Sequence, residues 1–379
     1  MRRADTWKGG RAVGTAVLAA VFLTASPPVR LSGQDSQFGI RGLGTPGRWE
    51  SVRSRSTGGA FAPFDPLSQL TEAPLADIGQ LTATAAGGTS HRDVAVGGTT
   101  AALRTTRFPL MGVAGPVGPR LAVAAGFTTY LDKSWDVWTR DSVLLRDVLQ
   151  RYIDELTSDG SVADVRLAVA SRLSRRIAIG AGVHVLAGST RMTAERRFDD
   201  STFHSVQQSA EVRYDGFGVS GSVLLGLAPG LTLAGWARSD SRLRAKVADT
   251  TSAVTDLPRM AGGGLLLAPS PSARFAASAV WRSWSQAGAG AFDTWSWSAG
   301  AEFAFRRMPI RLGARGGQMP FGPGTKAPTE VAGSLGVGRA FAQGRALIDV
   351  GLERLERRAG GGSLTERVWT VLVGLTVRP

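Results

Sequence analysis

Apolar and polar residues take turns along most of this chain. In residues 176–188 the odd positions Ile177, Ile179, Ala181, Val183, Val185 and Ala187 are apolar, and the even ones are mostly small or polar: Ala178, Gly180, Gly182, His184 and Gly188. In residues 216–227, Phe217, Val219, Val223, Leu225 and Leu227 alternate with Gly218, Ser220, Ser222 and Gly226. Residues 295–306 set Trp295, Trp297, Ala299, Ala301, Phe303 and Phe305 against Ser296, Ser298, Gly300, Glu302 and Arg306. The last such run has Trp369, Val371, Val373, Leu375 and Val377 on one face and Glu366, Thr370, Gly374 and Thr376 on the other. Successive side chains of a strand point to opposite faces, so this period of two predicts strands that separate unlike surroundings.

The pattern yields fourteen strands, at 80–86, 99–107, 119–130, 161–173, 175–198, 205–227, 231–248, 258–268, 272–286, 293–306, 308–318, 328–341, 345–357 and 365–378. Many exceed the usual five or six residues, as strands do when they cross a bilayer at a tilt. Their connections alternate in length. Short turns at 174–175, 228–230, 269–271, 307 and 343–344 all follow even-numbered strands. Longer polar or Gly-rich connections at 87–98, 131–160, 249–257, 287–292, 319–327 and 359–364 follow odd-numbered ones, and 108–118 is the one long connection on the short side. Short periplasmic turns and long outer loops are the asymmetry of an outer-membrane barrel. The predicted fold is therefore all-β, a 14-stranded antiparallel transmembrane β-barrel at 80–379 with both termini on the periplasmic side. Trp236, Trp281, Trp284, Trp295 and Trp369 fall near strand ends, where an interfacial girdle places such rings.

Composition fits that picture. Of 379 residues 43% are apolar and mean hydropathy is near zero, which a barrel achieves by alternation and a bundle of spanning helices does not. No cysteine is present, which excludes disulfides, thiolate nucleophiles and Cys-held metals. The net charge of +14 is dispersed along the chain and almost entirely arginine. That spread disfavours a nucleic-acid site and is compatible with attraction to anionic lipid. The apolar face points to membrane lipid. Charges on the opposite face (Asp164, Arg166, Arg172, Arg274, Arg282, Glu302, Arg311, Arg315, Asp349 and Glu353) would be costly in lipid and so belong to the lumen.

The first 33 residues read as a signal peptide. Arg2, Arg3, Lys8 and Arg11 precede the apolar run 12–25, which is short for a bilayer span; a membrane anchor is the competing reading. Residues 34–79 lack a period and hold the Gly, Pro and Phe-rich stretch containing Gly58, Gly59, Phe61, Phe64 and Asp65. A fourteen-stranded barrel is wider than side chains alone can fill, so this segment is read as a plug, with a flexible periplasmic arm as the alternative. In the 131–160 connection, Leu145, Val148, Leu149, Tyr152, Ile153 and Leu156 recur at helical spacing. A helix over 142–156, together with Trp135 and Trp138, would form an apolar outer surface. It serves either to admit a hydrophobic ligand or merely to pack on the rim.

The run 56–66 (STGGAFAPFDP), with Glu72-Ala73-Pro74 nearby, and the late runs 309–315 and 331–338 resemble the FadL-like family of long-chain fatty acid and aromatic-hydrocarbon outer-membrane transporters. The resemblance implies a plugged barrel in the cell outer membrane that passes hydrophobic small molecules. The family's Asn-Pro-Ala triplet is not intact here, and no ligand residue carries over. The chain ends Val377-Arg378-Pro379, without the terminal aromatic that many barrels present to the outer-membrane assembly machinery.

No Gly-x-Ser-x-Gly, Walker loop or HExxH occurs, and no serine–histidine–carboxylate set stands out, so no catalytic residue, metal or cofactor is assigned. The expected protein is a monomeric transporter. A non-transporting scaffold or secretion-associated barrel, and a general porin, are the rival readings.

Overall fold

A strand in hydrocarbon must pair on both edges, because an unpaired N–H or C=O has no water to satisfy it. The alternating segments meet that demand by closing on themselves. The computed structural model describes residues 36–96, 99–145, 147–305 and 308–379; the expected signal peptide at 1–33 lies outside these. Fourteen strands form the wall: β1 (Thr82–Val96), β2 (Thr99–Pro116), β3 (Leu121–Asp132), β4 (Val148–Arg172), β5 (Ile177–Phe198), β6 (Val206–Ala228), β7 (Leu231–Asp240), β8 (Arg259–Ser270), β9 (Ala273–Arg282), β10 (Thr294–Phe305), β11 (Met308–Gln318), β12 (Thr329–Phe341), β13 (Ala346–Arg358) and β14 (Leu364–Val377). Each pairs antiparallel with its neighbours, and β14 closes on β1 from Leu364↔Val96 to Val377↔Ala83.

The first two strands run further than sequence pattern suggested. Residues 87–96 and 108–116 are strand, and the connection from β2 to β3 shrinks to 117–120. Gly88 pairs with Leu372 on one side and Arg107 on the other. Hydrogen bonds from both neighbours hold strand geometry here without any side-chain alternation. The long connection on the short side thus disappears, and so does the long connection expected at 87–98 after the first strand, since the chain is strand to Val96 and again from Thr99.

The outer connections on one side of the barrel are also sheet. β3 continues after a short break as Trp135–Leu145, β7 as Arg242–Val247, and Thr250–Asp256 leads into β8. β4, β5 and β6 are 25, 22 and 23 residues long. About 9–11 tilted residues cross a bilayer, so the outer halves of these strands stand clear of it. The helix expected over 142–156 is not formed. Those residues make a β-hairpin, with Leu145 opposite Val148 and Trp138 opposite Glu155, turned through Asp147 at φ 63°. Helical spacing lost because β5 offers the backbone from Tyr152 onward a full ladder, beginning at Tyr152↔Phe198, while 148–151 pair with 142–145.

The two faces of the wall follow the alternation. Ile177, Ile179, Val183 and Val185 of β5, and Trp369, Val371, Val373 and Leu375 of β14, are exposed on the outside, while His184, Glu366 and Thr376 are buried inside. The tryptophans divide. Trp295 and Trp369 face outward, and Trp281 shares the outward face through its pairing with Trp295. Trp236 and Trp284 do not belong to a girdle: both are buried, Trp236 against Ala73 and Val280, Trp284 edge-on to Phe321.

Candidate functional site

Residues 36–81 touch the inward face of strands all around the barrel. A segment that contacts one face of a closed wall from several sides lies within it. Ser36 donates to Glu366 of β14 at 2.8 Å, and Gly58 N–H to Ser334 of β12 at 2.8 Å. Arg53 grips Glu302 of β10 through two bonds of 2.9 and 2.7 Å, and Arg55 reaches Glu353 of β13 at 3.0 Å. Across the lumen, Gln69 Nε2 donates to the Met111 carbonyl of β2 at 2.7 Å, and the Trp49 indole N–H to the Thr129 carbonyl of β3 at 3.2 Å. The bonds to Glu366, Glu302 and Glu353 are charge-assisted, the strong kind in a water-poor interior.

The glycines on the inner face give this segment its room. A Cβ on Gly313 would lie 2.0 Å from the Thr57 carbonyl carbon, and one on Gly300 2.4 Å from its oxygen. Gly58 takes φ +70°, a region that favours glycine, and a Cβ there would meet the Ala314 backbone at 2.5 Å. Asp65 organises the segment itself. Its carboxylate accepts from the Ser51 hydroxyl, from Ser54 at 2.8 Å and from the Leu67 amide at 3.1 Å, bracing the single helical turn α1 (Val52–Arg55). Phe61 packs with Ala60 and Ala276, flanked by Phe64. Gly58, Gly59, Phe61, Phe64 and Asp65 are thus all brought to the contact between segment and wall or to the segment's own core.

A chain of polar side chains joins segment to wall on the other side. Trp49 stacks on Tyr130 at 5.7 Å, and Arg238 lies 4.9 Å from the Trp49 ring. Tyr130 donates to Asp240 at 2.8 Å, and Arg238 bridges Asp240 and Asp164. His184 Nδ1 is 2.9 Å from Asp164, and its Nε2 is 2.8 Å from Ser220 Oγ. Ser220 in turn donates to Glu72 of the segment at 2.6 Å. Here the structure corrects the sequence reading, which found no serine–histidine–carboxylate set. Asp164, His184 and Ser220 stand on the inward faces of three consecutive strands, β4, β5 and β6, and only the strand register brings them together. The set is wired as a tether. The Ser220 hydroxyl is committed to Glu72, whose second oxygen accepts from Ser222 at 2.8 Å.

Between the segment and β9–β13 lies a cavity of about 130 Å³. Four arginines (Arg48, Arg282, Arg315 and Arg357) and two glutamates (Glu50 and Glu330) line it, with Trp49, Leu70 and Trp284 beside them. Glu50 is held by Arg48 at 2.9 Å, and Arg357 by Glu330 at 2.7 Å. Glu353 is shared by Arg48, Arg55 and Arg315. Burial alone would push the Glu50 carboxyl up. The adjoining Arg48 outweighs it and brings the group down to about 2, so Glu50 stays ionised. Arg282 has only the Ser296 hydroxyl, at 3.3 Å, and among the described residues no carboxylate lies within ion-pair distance of it. Both terminal nitrogens of Arg48 and the Arg315 Nε also lack a hydrogen-bond acceptor among the described residues. The cavity therefore presents surplus guanidinium beside indole and aliphatic surface, which suits an anionic head on an apolar body.

The outer-loop residues fall elsewhere. Trp135, Trp138 and Leu145 lie on the extension of β3, and Leu149, Tyr152 and Ile153 on the outer part of β4. Tyr152 and Ile153 project from opposite faces, so no shared apolar stripe forms. Trp135 is buried, whereas Leu149 is 64% exposed. Tyr152 is occupied by Phe198 at 6.1 Å and by the Arg196 guanidinium at 4.1 Å. The Arg282 contribution was missed as a site because sequence shows its face but not its lack of a partner.

Known structures share this architecture. A Pseudomonas aeruginosa FadL homologue superposes with a TM-score of 0.62 at 12% identity, covering 90% of this chain and 99% of the other. The Pseudomonas putida toluene transporter TodX gives 0.56 at 13% identity, and the monoaromatic hydrocarbon channel CymD 0.55 at 13%, with the same coverage. The chain has the FadL-type barrel fold. No protein-family profile matches it, and no curated protein matches it by sequence. The FadL-type likeness is thus carried by wall geometry, at an identity too low to transfer individual residues.

Proposed function

We propose that the protein carries hydrophobic compounds with an acid head, long-chain fatty acids or similar, across the outer membrane. The carrying observation is the cavity between the N-terminal segment and the wall, where Arg282 lacks an acid partner and Trp49, Leu70 and Trp284 supply apolar surface. A buried cation is costly unless paired, and a carboxylate ligand would pair it. The FadL-type fold supports passage of hydrophobic molecules, since proteins of that fold include a toluene transporter and a monoaromatic hydrocarbon channel. The surplus charge favours an acid over a neutral aromatic. In this reading residues 34–79 act as the plug, ligand meets the long-loop side first, and the protein works as a monomer placed by the outer-membrane assembly machinery after removal of residues 1–33.

The test is uptake of radiolabelled oleate by cells with the wild-type protein, with Arg282→Gln, and without the protein. Loss of one charged hydrogen-bond donor should lower oleate uptake about tenfold, while toluene uptake in the same cells stays unchanged. Oleate uptake equal with and without the protein would end the reading.

A further inference from the structure

The two ends of the barrel differ in charge. On the long-loop side acids and bases are mixed: Arg196 pairs with Asp154, Arg242 with Asp256, Lys246 with Asp215, and Glu356 with Arg358 and Arg367. On the short-turn side the exposed rim holds Arg120, Arg175, Arg176, Arg339 and Arg345. The acid found there is Asp77, already paired with Arg172. None of the five rim arginines has a carboxylate within ion-pair distance among the described residues. Arg339 is the most telling. It follows the lipid-facing Leu335 and Val337 on the outer face of β12, and its guanidinium sits 5.4 Å from the ring of lipid-facing Phe341 at the strand's end. A cation on the outer face is tolerated where its long side chain reaches the headgroup layer, beside an interfacial aromatic.

We infer that this arginine rim binds the phosphates of anionic phospholipids in the leaflet that surrounds the short turns. The inference rests on the reading that the barrel spans the outer membrane with its short turns at the periplasmic leaflet. The occupant is argued from position: the apolar outer faces of β12–β14 place lipid against the wall, and the next layer along the strand is the headgroup. Guanidinium matches phosphate by paired N–H donors. Cations near an anionic membrane surface add attraction one by one and lose it with salt.

The experiment inserts the full-length protein into vesicles of 3:1 phosphatidylethanolamine and phosphatidylglycerol. Co-purified lipid is then counted after gentle detergent extraction, by native mass spectrometry. Wild type should retain phosphatidylglycerol well above its share in the vesicle, and less so in high salt. The variant R120Q/R175Q/R176Q/R339Q/R345Q should lose about tenfold of that enrichment while still migrating as a folded barrel in unheated gels. R151Q/R191Q/R197Q/R244Q, which removes exposed arginines from the opposite end, should keep it. Equal enrichment in wild type and the rim variant, or equal loss in both variants, overturns the proposal. A wild-type protein that fails to insert into either vesicle lipid overturns the spanning reading and the rim proposal with it. One that inserts without preference overturns the rim alone.

Discussion

Ser334 and Leu335 are neighbours in β12 and obey opposite rules. Ser334 is 6% exposed and accepts the Gly58 amide. Leu335 is 59% exposed on the outside, level with Leu312 and Leu352 of the adjoining strands. The inner face is specific: small residues where the segment presses close, and charges where a partner answers. The outer face is generic and asks only for apolar side chains. One residue of register shift would exchange the two sets, so the alternation itself fixes which surface meets which.

The inner face should therefore be the more sensitive to a conservative loss. Glu302 accepts from Arg53 of the segment and from Arg311 of β11, both at 2.7 Å at closest. Glu302→Ala leaves the buried Arg311 and the part-buried Arg53 each short of an acceptor, which costs about 3 kcal/mol when one partner of a buried pair is removed. The expected reading is earlier protease cleavage within residues 48–60 and faster hydrogen exchange there, with the barrel itself intact. Adding Arg53→Ala should restore part of the loss. Unchanged protection in Glu302→Ala would show that the segment is not held by this pair.

The outer face answers to a different change. Leu335→Arg places a cation mid-strand toward lipid, and should destabilise the folded barrel in bilayers by roughly 2–4 kcal/mol. In detergent micelles, where water reaches the belt more easily, the effect should shrink. Urea titrations followed by tryptophan fluorescence in both settings measure it. An equal cost in both would mean that Leu335 packs against protein and not against lipid.

The same contrast explains what could be read from sequence. Outward residues such as Val371, Val373 and Leu375 announce themselves, because lipid imposes one chemistry on every second position. The count of fourteen strands and the parity of their turns followed from that. Strand ends at 87–96 and 108–116 were illegible, since the first is largely polar and the second largely apolar with Gly and Pro, so neither alternates and both owe their geometry to neighbours. Lumen chemistry was half legible. The charged inward faces were visible, whereas the Asp164–His184–Ser220–Glu72 line depends on the register of three strands and on a segment without any period. The absence of an acid beside Arg282 is a fact about every other residue, and no local pattern reports it.

The outer hairpin gives the smallest effect. A helical stripe would bury Leu149 against its neighbours, whereas the hairpin leaves it exposed near the tip, opposite the equally exposed Leu144. Exposed positions away from packing contacts change stability by about 0.5 kcal/mol or less. Leu149→Ser should fall within that limit by thermal unfolding in detergent. Trp135→Ala, at a buried position on the same hairpin, should cost about 3 kcal/mol. The pair separates two packings with identical sequence: a hairpin makes these substitutions unequal, because only its base meets the rest of the molecule. Similar costs at both positions would mean that the apolar stripe closes on one surface after all.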